Sequence, residues 1–112
     1  MVKRKKSAFG EFLVQEIKNA EMSQESFYKA VGIAKPYFYD ILTAAPPPAD
    51  IQRKMVEVLN NKTGINQVRT RKLYDLAAQE RNELPVDISR SLMRNPEGWD
   101  NVREMLKMLE SV

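Results

Sequence analysis

Apolar residues recur three and four positions apart along most of this chain and nowhere alternate strictly with polar ones, a pattern that predicts helices and no strands. Phe9, Leu13 and Ile17, with Phe12 beside them, form the inward face of a first helix running from Ser7 or Ala8 to Ala20. Ser23 then suits an N-cap, because its side-chain oxygen can accept from an orphan amide of the next turn. Phe27, Ala30 and Val31 give the short helix that follows an apolar face. Gly32 falls where the chain must turn sharply and calls for a positive φ. Ile33 is an apolar plug after the turn, and Phe38, Ile41 and Leu42 supply the inward face of a third helix. Lys35, Pro36, Tyr37 and Tyr39 are left outward at its start. Proline is tolerated in a first helical turn and keeps the residue before it out of the α region. Lys35 is therefore expected to be the non-helical cap, with the helix beginning at Pro36. No side chain caps it, so its first amides are open to water or an anion.

Pro46, Pro47 and Pro48 cannot be helical and predict a stiff, extended connector, with a ligand for proline-reading domains as the less favoured alternative. A fourth helix starts at Ala49 or Asp50, where the acid suits the helix dipole. Its core stripe is Ile51, Met55, Val58 and Leu59, and the turn-forming run from Asn60 to Gly64 ends it. A fifth helix, from about Asn66 to Glu80, is expected to turn Val68, Leu73, Leu76 and Ala77 inward. Arg69, Arg71 and Lys72 then fall on or beside its wetted face. Leu84-Pro85-Val86-Asp87 opens another helix bearing Ile88, Leu92 and Met93, and Asn95-Pro96 breaks it. Trp99, Val102, Met105, Leu106 and Leu109 line one side of a last helix. That stripe either closes over the body or pairs with its twin in a homodimer, and the dimer is favoured.

A helix, a glycine turn and a second helix form the layout of a DNA-reading helix-turn-helix. The run Ser23-Gln24-Glu25-Ser26, then Val31-Gly32-Ile33, then Tyr37-Phe38 and Ile41 resembles the phage repressor and Cro type, including bacterial regulators of the Xre family. The likeness spans roughly residues 9 to 60. It implies a repressor-like bundle of five helices, with Gln24 reaching the DNA backbone from the start of the first motif helix. The segments Tyr74-Asp75-Leu76-Ala77, Pro85-Val86-Asp87-Ile88 and Asn95-Pro96-Glu97 also resemble, more weakly, the tails of small Xre-type regulators. The chain departs from the family pattern in two places. Ala34 stands where Ser or Thr usually caps the recognition helix, and Thr43-Ala44-Ala45 replaces a Glu-Asn-Gly-like turn followed by a basic residue.

The fold class expected is thus all-α: a basic, flexible arm over residues 1–8, a repressor-like domain over 9–80, and a C-terminal helical extension over 81–112. A chain of 112 residues, 43% hydrophobic and 29% charged, suits one globular domain with a short appendage. No apolar run is long enough to span a bilayer, and the N-terminus lacks the apolar segment of a signal peptide, so a cytoplasmic location without membrane attachment is expected. With no cysteine there is no disulfide or thiolate chemistry. With no histidine, Ser-His-Asp, Cys-His and His-ligated metal sites are excluded. No glycine loop for phosphates is present, so no catalytic residue, cofactor or metal is expected.

The net charge of +3 conceals an uneven distribution. Lys3, Arg4, Lys5 and Lys6 crowd the start of the chain. Between residues 7 and 50, Lys18, Lys29 and Lys35 face Glu11, Glu16, Glu21, Glu25, Asp40 and Asp50. The motif body is therefore mildly acidic, which opposes strong non-specific DNA binding. A second basic cluster joins Arg53, Lys54, Lys62, Arg69, Arg71 and Lys72. The N-terminal arm is either an ordinary solvated terminus or an arm that grips DNA phosphates.

The function expected is a sequence-specific regulator of transcription that binds double-stranded DNA, with repression the expected mode. The third helix would enter the major groove. Lys35 would donate to guanine O6 and N7 or hold a phosphate. Pro36, Tyr37 and Tyr39 stand at the same helix start, where the tyrosines would reach base edges, thymine methyls or backbone. Gln24 would fix the helix pair against a phosphate, and Lys3, Arg4, Lys5 and Lys6 would add salt-sensitive affinity. The alternative is a protein-interaction module on the same scaffold, such as an antitoxin or a phage-encoded inhibitor. It is distinguished by whether the outward face of the third helix lies beside positive or negative surface.

Overall fold

Residues 4–111 are described by a computed structural model and fold into seven α-helices, with no strand among them. The helices are α1 (Ala8–Asn19), α2 (Gln24–Val31), α3 (Lys35–Thr43), α4 (Ala49–Thr63), α5 (Gln67–Arg81), α6 (Val86–Arg94) and α7 (Trp99–Glu110), with a 3₁₀ turn at Pro96–Gly98. None is long and apolar enough to cross a membrane.

The core forms where the apolar faces of α1 to α5 meet, closed at one end by Val86 of α6. α1 lies between α3 and α5, and α2 packs on α4. Phe9, Leu13 and Ile17 are fully enclosed, as the helical spacing predicts, and Ser7 caps α1 by accepting from the Gly10 amide at 3.0 Å. Gly10 matters for a second reason. A Cβ there would lie 2.1 Å from the Leu42 carbonyl oxygen, so only glycine lets α1 approach the end of α3 this closely. The Ser7 amide donates to the same oxygen at 3.0 Å.

Several expectations need correction. Ala34, not Lys35, is the N-cap of α3. The Phe38 amide donates to the Ala34 carbonyl at 3.0 Å. Burying Phe38 in the core requires that first turn, which outweighs the pre-proline restriction on Lys35. Ala30 faces solvent, while Phe27 and Val31 are buried. α4 continues through the expected turn residues as far as Thr63.

The largest correction concerns α5. Val68 is 78% exposed, and Arg69 takes the inward position at 9% exposure. The helix repeat explains the exchange, because Arg69, Leu73 and Ala77 lie four residues apart along one face. The guanidinium donates to Thr63 Oγ1 at 2.7 Å, Asn60 Oδ1 at 2.8 Å and the Gly64 carbonyl at 3.2 Å. These bonds hold the end of α4, satisfying one carbonyl at that helix terminus.

The proline connector is built into the body. Pro46 and Pro47 are buried, and their carbonyls accept from Arg81 Nη1 at 3.0 Å and Gln52 Nε2 at 2.8 Å. Pro46 and Pro47 are thus not free to serve as a ligand for another domain, and Pro48 alone of the three is exposed.

The last helix does not close over the body, as one of the two expectations had it. α7 packs against the 3₁₀ turn before it, and Trp99 Nε1 donates to the Leu92 carbonyl at 2.6 Å, folding α6 and α7 into a corner. The radius of gyration, 16.0 Å, exceeds the roughly 13 Å of a compact chain of this length; α6 packs on α4 and α5, and α7 projects beyond it.

Gly10→Ala tests the α1–α3 approach. Alanine is the better helix former by about 1 kcal/mol, yet overpacking against backbone costs about 1–3 kcal/mol or more. Urea unfolding is expected to show a net loss of about 2 kcal/mol; an unchanged or raised stability would show that the two helices can separate freely.

Candidate nucleic-acid interface

The surface around α3 is built from the α2–α3 turn upward. Ser23 caps α2, its Oγ accepting from the Ser26 amide at 3.0 Å and donating to Ser26 Oγ at 2.9 Å. Gly32 adopts φ 92°, ψ 28°, the left-handed conformation. Its amide donates to the Lys29 carbonyl at 3.1 Å, and that of Ile33 to the Tyr28 carbonyl at 3.0 Å. This pair of bonds is the Schellman motif. It fixes the direction in which the chain leaves α2. Phe38 then packs its ring against Phe27 and Tyr28, with centroids 6.1 and 5.5 Å away. These contacts fix the rotation of α3 about its axis.

That rotation exposes Lys35, Pro36, Tyr37, Tyr39 and Asp40. No side chain caps α3, and its first turn carries no acid. Lys35 instead puts a positive charge at the positive end of the helix dipole. This placement opposes helix stability and favours an approaching anion. Gln24, Lys35 and Tyr39 converge on one depression of about 250 Å³, which Glu25, Tyr28, Phe38 and Leu42 complete. Pro36 and Tyr37 stand on the same helix start but outside that depression.

The N-terminal segment reaches this surface. Arg4 Nη2 lies 2.8 Å from Asp40 Oδ1, and the guanidinium stacks over the Tyr39 ring at 4.6 Å from its centroid. Lys5 and Lys6 are exposed and share with Arg4 a shallow depression reaching Glu11, Val14 and Gln15 of α1. Lys3 lies outside the described residues. Asp40 holds the arm, and no local pattern could have revealed this, because its partner is 36 residues away.

Acids near α3 are matched locally. Glu25 pairs with Lys29 at 2.9 Å; this hydrogen bond holds the Glu25 carboxyl below its usual range, with the more distant Lys35 adding to the effect. The same bond raises Lys29. Asp40 pairs with Arg4, so the two acids closest to the outward face of α3 each meet a cation. Lys35, Lys5 and Lys6 make no ion pair among the described residues. Three of the six cations in the second basic cluster are engaged elsewhere. Arg69 points inward, Lys54 pairs with Glu57 at 3.6 Å, and Lys72 lies over the Phe12 ring at 5.3 Å.

Comparison of the chain with protein-family models, curated proteins and solved structures finds no match.

Asp40→Asn tests whether the carboxylate anchors the arm. The backbone order parameters of residues 4–6 are expected to fall to flexible values, below about 0.6, with the thermal midpoint unchanged. If they stay at wild-type values, the Ser7 cap alone holds the segment.

Proposed function

We propose that this chain is a repressor-like helix-turn-helix protein of the Xre type that regulates transcription by binding double-stranded DNA in a sequence-specific way. The observation that carries the reading is the contact of the basic arm with the outward side of α3, made by Arg4. Arg4 meets Tyr39 and Asp40 of that helix, Lys5 and Lys6 lie with Arg4 along the start of α1, and Glu25 and Asp40 are each held by a cation. The outward face of α3 thus carries the cation Lys35 and receives the cation Arg4, although the motif body as a whole is acidic. A turn locked by Gly32 and a ring cluster at Phe38 present the helix start rigidly, as readout of base edges requires.

In this reading α3 enters the major groove. Lys35 donates to guanine O6 and N7, and Tyr37 and Tyr39 meet neighbouring base edges or thymine methyls. Gln24 at the start of α2 contacts a phosphate and sets the depth of the helix pair. On contact, Arg4 exchanges Asp40 for a phosphate, and Lys5 and Lys6 follow the backbone. Asp40 then faces the DNA unpaired, which penalises non-specific binding and leaves base contacts to decide where the protein settles.

Selection of bound duplexes from a random library, followed by titration of the winner at several salt concentrations, tests the reading. The expected result is an enriched motif whose affinity falls linearly with salt on logarithmic axes. Lys35→Ala is expected to weaken binding of the selected duplex by roughly 1–3 kcal/mol and to relax the preference at one base pair. Equal weakening on every sequence would reduce Lys35 to a phosphate contact. If no sequence is enriched and residual binding vanishes at physiological salt, the regulator reading fails and α3 belongs to a protein interface.

A further inference from the structure

We infer that the projecting α6–α7 corner is the interface through which two copies of this chain pair, with α7 packed antiparallel against α7 of the other copy. This inference goes beyond DNA binding and does not rest on it.

Eight of the twelve large hydrophobic side chains exposed among the described residues lie from Leu84 onward, although this part supplies only Val86 to the core. Leu84, Met93, Met105 and Leu109 are each more than half exposed, and Trp99 and Leu106 more than a third. Leu84, Met93 and Trp99 meet around an apolar groove of about 270 Å³ in the corner between α6 and α7. The helical repeat continues that surface along α7 through Val102, Leu106 and Leu109, with Met105 at its edge. The six exposed side chains named here leave on the order of 700 Å² in solvent, more than the ~300–600 Å² of the largest patch on a typical monomer. That area approaches the ~800 Å² that each partner gives to a stable complex.

The occupant follows from the symmetry of the charges. Arg103 and Glu110 lie two helical turns apart, on the edge of the stripe beside Trp99 and Leu106. In an antiparallel pair related by a two-fold axis, this edge meets itself reversed, so Arg103 of each copy lies toward Glu110 of the other. A parallel pair would give neither charge its opposite across the interface. Antiparallel packing also sets the two helix dipoles head to tail. Lys107 pairs with Glu104 on the side away from the stripe, and Asp100, which Arg103 meets within the helix, lies toward that side as well.

Sedimentation equilibrium of the full chain across micromolar concentrations reads the proposal directly. A monomer–dimer equilibrium is expected, with the emission of Trp99, the sole tryptophan, shifting to the blue as dimer forms. Leu106→Glu combined with Leu109→Glu is expected to give a monomer. Its helix content and thermal midpoint at low concentration should be unchanged, since neither side chain belongs to the core. Glu110→Arg is expected to weaken the dimer about tenfold, and adding Arg103→Glu to restore it. A wild-type chain that stays monomeric overturns the proposal, including one whose α7 is covered by a different protein. So does a dimer that survives the paired leucine substitutions, or a charge reversal that fails to restore pairing.

Discussion

The carbonyl of Leu42 is the point on which the candidate surface depends. It receives the Ser7 amide at 3.0 Å, and the missing side chain of Gly10 lets α1 settle against it. This places the end of α3 against the start of α1. The segment before Ser7 then brings Arg4 to the outward side of α3, where it meets Asp40 and Tyr39. An ordinary helix-forming residue at Gly10 would force the two helices apart. The direction of the arm is thus a consequence of backbone packing, and the ion pair with Asp40 completes a path already set.

Rigidity and charge divide between two sets of residues on α3. Phe38, Ile41 and Leu42 are buried and hold the helix by hydrophobic packing, which dominates folding energetics and, unlike an ion pair, is not screened by salt. Lys35, Tyr37, Tyr39 and Asp40 are exposed and contribute little to that packing. A cation at the positive end of an uncapped helix is unfavourable for the isolated fold, so Lys35 adds nothing to the stability of α3. α6 and α7 show the same division: Val86 of α6 closes the core, whereas the large apolar side chains of α7 lie outside it.

Much of the architecture was legible locally. The spacing of Phe9, Leu13 and Ile17, the cap at Ser23 and the glycine at position 32 each act within a few residues, and each took the expected form. Errors arose where a residue had to be assigned to one of two adjacent faces. Val68 and Arg69 exchange roles against the rule that apolar side chains are buried and charged ones wet. Arg69 is inward because Asn60, Thr63 and the Gly64 carbonyl supply acceptors that only the return of the chain brings near it.

Sequence alone determined the helical character of this protein, the position of its sharp turn and which side chains of α3 face outward. These follow from a periodicity and from backbone preferences that operate over one or two turns. Tertiary structure decided what lies beside that outward face and what remains uncovered at the far end. Arg4 and Asp40 are 36 residues apart, and the bareness of α7 depends on the angle at which α6 leaves the body. Contacts between distant segments carry no local signature, because any exposed cation or apolar stripe reads the same until the chain folds and brings its partner close or leaves it without one.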